Sequence, residues 1–159
     1  MVSQMVMYDE ESRRITSVCE RLGREANARA VFVIDKNGQL IASSGDTEHL
    51  DSTSLASLVA GEIAATGGLA KLMGEKEFST LFHEGAKDHL HISVVASRVI
   101  LVVIFDSRSS LGLVRLRVKK CSEELTQIFE QLMKRSEASG QQSPFAEITD
   151  EDIDKLFSV

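Results

Sequence analysis

The sequence predicts an α/β fold: a three-layer sandwich whose five-stranded antiparallel sheet carries two helices on one face and one on the other, in the order α-β-β-α-β-β-β-α. Three observations point there. Ala30-Val-Phe-Val-Ile-Asp35 and Gln39-Leu-Ile-Ala-Ser-Ser44 flank Lys36-Asn37-Gly38, and Asn-Gly between two β-type runs is the strongest short-range hairpin signal. Val99-Ile-Leu-Val-Val-Ile-Phe105 is apolar at every position, so this strand needs cover on both faces. Three longer stretches repeat their apolar residues at spacings of three and four, the period of amphipathic helices.

In chain order, residues 9 to 27 give the first helix. Ile15, Val18, Cys19, Leu22 and Ala26 form its stripe, and Asp9, Glu10 and Glu11 suit the positive end of its dipole. The hairpin follows, with a type I′ turn expected at Asn37-Gly38 because that turn needs positive φ at both central residues. A helix from Asp51 or Ser52 to a terminating Gly74 comes next. After it, residues 77–83, 89–96 and 99–105 read as strands. Leu90, Ile92, Val94 and Ala96 share one face, with His89, His91 and Ser93 on the other. The last long helix spans about 111 to 135, with a stripe of Val114, Val118, Cys121, Leu125, Ile128, Phe129 and Leu132 and a basic patch of Arg115, Arg117, Lys119 and Lys120.

Residues 1–135 therefore make one domain. Residues 136–144 have the composition of a flexible linker, and residues 145–159 form an acidic segment. Within that segment Thr149-Asp-Glu-Asp152 resembles a capping box, and Ile148 and Ile153 hold the two positions of a hydrophobic staple. Phe145, Ile148, Ile153, Leu156 and Phe157 are its apolar anchors. A short acidic helix with such anchors on a tether suits a partner's groove.

The chain's organising stretch is the central helix. At about 100° per residue, Leu55, Leu58, Val59, Ile63, Leu69, Leu72 and Met73 gather on one arc, which would face the core. Water-facing Lys and Glu should fill the opposite arc. It instead holds Ala56, Ser57, Ala60, Ala64 and Gly68, with Lys71 at its far end. A ridge so poor in side chains lets another backbone approach closely, either a partner's or the chain's own. Gly67 and Gly68 each cost a helix about 0.5–1 kcal/mol relative to Ala, a loss that usually has a packing reason. The expected partner-binding residues are thus Ala56, Ser57, Ala60, Ala64, Gly68 and Lys71.

Catalytic signals are few. There is no Gly-rich phosphate loop, no zinc-type cysteine spacing and no nucleophile elbow. His83, His89 and His91 lack the carboxylate or thiolate company of a metal site, and fit solvent-facing or interface histidines better. Neither a catalytic site, a metal nor a cofactor is expected. The net charge is −6, and the segment beyond Phe145 supplies −4 of it from five acids against one lysine. That balance disfavours nucleic acid and anionic membrane surfaces as partners. Two cysteines on apolar helical positions, without a secretory signal, fit a cytoplasmic protein.

The strand–Asp-Lys-Asn-Gly-Gln–strand hairpin, the helix beginning Thr53-Ser-Leu-Ala-Ser-Leu-Val-Ala-Gly61, the all-apolar strand before Asp106 and the long last helix together resemble the roadblock / dynein light chain family over residues 8 to 135. Ser110-Leu-Gly-Leu-Val-Arg-Leu-Arg117 and Ser143-Pro-Phe-Ala-Glu147 are similar to its bacterial polarity branch. The resemblance implies a homodimer whose sheets join edge to edge and whose central helices form a platform. In that branch the platform docks on a Ras-like small GTPase that controls polarity and motility, and speeds GTP hydrolysis without inserting an arginine. It further implies a contact of the C-terminal segment with the GTPase and a role in nucleotide exchange, other polarity proteins as partners, and concentration at a cell pole. Some members of the family are instead non-catalytic dimeric scaffolds, which is the alternative reading.

Overall fold

The computed structural model describes residues 8–138. Phe145, Ile148, Ile153, Leu156 and Phe157 lie outside the described residues. Three helices and five strands follow in the expected order: α1 (Asp9–Glu25), β1 (Ala30–Asp35), β2 (Leu40–Gly45), α2 (Ser52–Leu72), β3 (Thr80–Glu84), β4 (His89–Val95), β5 (Val99–Phe105) and α3 (Leu111–Ala138). The strands form one sheet in the order β2-β1-β5-β4-β3 with every pairing antiparallel. β5 is central and all seven of its residues are buried.

Alternation along the strands divides the core in two. Val31, Val33, Leu101, Val103 and Phe105 face α1 and α3, where Ile15, Leu22, Leu125, Ile128 and Leu132 meet them. Ala30, Phe32, Ile34, Ile92, Val102 and Ile104 face α2. The three-layer expectation holds, and both faces of the apolar β5 are covered.

The type I′ expectation at Asn37-Gly38 is not met. At 35–38 the Gly38 N–H donates to the Asp35 carbonyl at 3.0 Å, and the Asp35 N–H donates to Gln39 O at 2.9 Å. Gly38 has φ +91°, but Asn37 is not left-handed, so this is an ordinary turn followed by a glycine bulge and not type I′. Asp35 explains the choice: its carboxylate accepts the N–H groups of Asn37 (2.9 Å) and Gln39 (3.0 Å), which fixes a three-residue loop. The paired positive φ values occur at Ala96 (54°) and Ser97 (56°), between β4 and β5.

Helix α3 runs to Ala138, three residues past the expected end, and Ser136 is fully buried. The Arg135 guanidinium fixes this last turn to α1. It reaches both Glu11 carboxylate oxygens at 3.0 and 3.1 Å and lies 4.0 Å from the centre of the Tyr8 ring.

Candidate functional site

α2 is capped at both ends. The Asp51 carboxylate accepts the Ser54 N–H at 3.1 Å and the Ser54 hydroxyl at 2.7 Å. These bonds from Ser54 hold the Asp51 carboxyl below its ordinary value. At the other end Gly74 (φ +77°) lets Glu75 N–H donate to the Ala70 carbonyl at 2.9 Å and its own N–H donate to Lys71 O at 3.2 Å, closing a Schellman turn.

The rotation of α2 differs from the expected one. Its inner arc is Ala56, Val59, Ala60, Ile63 and Ala70. Ala56 is fully buried and Ala60 nearly so, so the first half of the small-residue row packs within the chain instead of facing outward. The β1–β2 turn is what it accommodates: a Cβ added at Gly38 would lie 3.4 Å from Ser57 Cα and 3.6 Å from Ala60 Cβ. Larger side chains there would lift the helix off the hairpin. Leu58 (74% exposed), Leu69 (52%), Leu72 (87%) and Met73 (64%), expected in the core, stand outside.

Ala64, Gly68 and Lys71 are exposed, as is Ser57. Ala60, Ala64, Gly67 and Gly68 floor a groove of about 390 Å³ between α2 and the segment after it, walled by Lys36, Lys71, Lys76, Glu77 and Phe78. Lys36 and Glu77 close one side through a 3.0 Å ion pair. No heavy atom lies within 4 Å of a Cβ built at Gly67 or Gly68, so nothing in the described chain requires glycine at either position. The surface combines this lysine-rimmed groove with an apolar crest. Along the crest Leu58, Ala65, Leu69 and Leu72 recur at offsets of 0, 7, 11 and 14, the spacing of a helix–helix seam.

By length and composition α2 passes for a membrane-crossing helix, with mean hydropathy 1.3. Its inner arc nevertheless lies on the sheet. The surplus apolarity is the crest, a row that one chain leaves without a partner layer.

The three histidines part company. His83, on edge strand β3, bonds Glu62 of α2. His89 packs between Phe82 (6.1 Å) and Phe105 (5.2 Å). His91 is 2% exposed beneath α3, which corrects the expectation of a solvent-facing ring. Burial and the Arg115 charge both lower its pKa. Among the described residues no group of three metal-ligating side chains occurs. Cys19 and Cys121 are buried free thiols whose pKa values burial pushes up to about 12, so neither is a nucleophile. The turn arginine Arg108 is bound back to its own Asp106 at 3.1 and 3.2 Å, and that bond depresses the Asp106 carboxyl.

Fold and site together define a homology class. Residues 14–105 match the Roadblock/LC7 domain, and the chain belongs to that family. Among solved structures it is similar to Myxococcus xanthus MglB, at 65% identity with a TM-score of 0.77, over 80% of this chain and 96% of that one. It also resembles the gliding protein MglB from Thermus thermophilus (35% identity, TM-score 0.75) and an MglB in a tetrameric arrangement (34%, 0.76), each over 80% of this chain and 96% of the other. Comparison with curated proteins gave no match.

Proposed function

We propose that this protein is a homodimeric regulator of a Ras-like small GTPase of the MglA type, and that it accelerates GTP hydrolysis by docking α2 against the GTPase. The observation that carries the reading is the exposed Ala64–Gly68 floor between Lys36, Lys71 and Lys76, in a chain 65% identical to Myxococcus xanthus MglB. A floor without side chains excludes little volume, so a mobile loop of the GTPase can lie directly on the helix backbone. Lys36 is held by Glu77, and Lys71 and Lys76 on the rim suit an acidic loop.

The chain acts as a regulator and contributes no catalytic group of its own. Arg108 pairs with its own Asp106 in the free chain, and the family resemblance implies activation without a donated arginine. Acceleration then comes from binding one conformation of the GTPase's switch segments more tightly than the others, so that its own groups are held in position. Phe145, Ile148, Ile153, Leu156 and Phe157 make a second contact with the GTPase and influence nucleotide exchange. The protein works in the cytoplasm, near a cell pole.

The test is single-turnover GTP hydrolysis by the cognate GTPase, with wild type and with Ala64→Arg/Gly68→Arg. Both positions are exposed and Gly68 has no neighbour to clash with, so the double variant should keep the wild-type melting temperature. Loss of both binding and acceleration is expected. Acceleration at the wild-type rate by the double variant would overturn the reading. Tight wild-type binding without acceleration would favour the scaffold.

A further inference from the structure

The other face of the sheet carries a second site. A groove of about 460 Å³ runs between α3 and the β3–β4 ladder. Its floor includes His91 and Ser93, which are 2% and 7% exposed. The His91 Nδ1 and the Ser93 Oγ are sealed from solvent and have no hydrogen-bond partner among the described residues. Two neighbouring orphans on one strand face are unusual, because each buried unmet polar atom costs about 1–3 kcal/mol. Above them α3 places Arg115 and Lys119 one turn apart, on the groove wall with Ser122. Neither cation has an ion-pair or hydrogen-bond partner among the described residues, whereas nearby Arg117 approaches Glu25 at 3.9 Å. Glu123 is the groove's single carboxylate, so the wall keeps an excess of positive charge.

These residues form a set in which donors and cations outnumber the one carboxylate, Glu123. We propose that the groove binds a phosphate group, as inorganic phosphate or as the phosphate of a small monoester, with Arg115 and Lys119 neutralising it and the Ser93 hydroxyl and the His91 ring N–H donating to its oxygens. Burial keeps His91 neutral, which leaves one ring nitrogen as a donor and one as an acceptor. Reaching the two sealed atoms takes a side-chain rotation at the groove wall, an ordinary adjustment on binding.

The experiment is NMR titration of the full chain with inorganic phosphate and, separately, with glycerol 3-phosphate, at ionic strength matched with sodium chloride. Saturable shifts of the His91 and Ser93 resonances are expected. Saturation by both compounds assigns a monoester site, and saturation by phosphate alone assigns a free-anion site. Arg115→Gln/Lys119→Gln, two surface changes, should weaken binding at least about tenfold. Ser93→Ala should weaken binding yet raise the melting temperature of the free protein, because it deletes a buried unpaired hydroxyl; surface charge alone would produce neither effect. Shifts no larger than those with chloride, or unchanged affinity in the double variant, would overturn the proposal. Failure here leaves the α2 reading intact, since the two grooves lie on opposite faces of the sheet.

Discussion

At Gly68 the helix gives up stability without a structural return. Its Cβ position is empty to 4 Å, so Gly68→Ala should stabilise the protein by about 0.5–1 kcal/mol, read as a higher urea midpoint at unchanged m-value. An unchanged or lower midpoint would mean that glycine serves the fold. Asp51 is the opposite case, since one carboxylate supplies the cap. Its folded pKa is depressed, so its stabilisation is present above the ordinary carboxyl value of 3.8 and is lost as pH falls through the lower folded value. The melting temperatures of wild type and Asp51→Ala should therefore differ at neutral pH and converge in strong acid. The cap was legible in the sequence because its signal is local. The conformation of the Asn37-Gly38 turn was not, because a side chain two residues away, Asp35, decided it.

At the scale of elements, all eight were legible, the helices and β4 from their periods, the hairpin from its turn and β5 from unbroken apolarity, but the rotation of α2 was not. Apolar periodicity identifies the core face only when the other face is polar. In α2 each arc carries a single charge, Glu62 on one and Lys71 on the other, and the larger side chains, Leu58, Leu69 and Leu72, lie on the outer one. The sheet and the hairpin select small residues beneath the helix, so Ala56, Ala60 and Ala70 form the inner arc while the leucines stand outside. α3 illustrates the same limit at its end. Ser136 reads as linker, yet it is buried in the helix, and Arg135 pairs with Glu11. Truncation after Arg135 should cost about 1–2 kcal/mol relative to truncation after Ala138, by frayed packing and a new carboxylate beside that pair. Equal stability of the two truncations would show that the last turn contributes nothing.

Across the whole molecule, the two faces of the sheet are unequally finished. On one face α1 and α3 together seal a core that reaches from Ile15 to Leu132. On the other α2 stands alone, with its crest of Leu58, Leu69 and Leu72 exposed, and among the described residues β3 ends the sheet with an unpaired edge. An apolar seam beside an open edge is a combination that proteins normally cover. In the proposed homodimer a second copy would do both at once, with the two-fold axis between the two β3 strands and the two α2 crests side by side. Leu58→Asp/Leu72→Asp should then convert the protein to a monomer, measured by sedimentation equilibrium, while circular dichroism stays that of the folded chain, because both side chains are free of the core. The same variant should lose GTPase activation if the platform needs two helices. If it stayed dimeric, the copies would be joined by something other than α2. If it became monomeric yet fully active, a single α2 groove would suffice, and the dimer would serve another purpose.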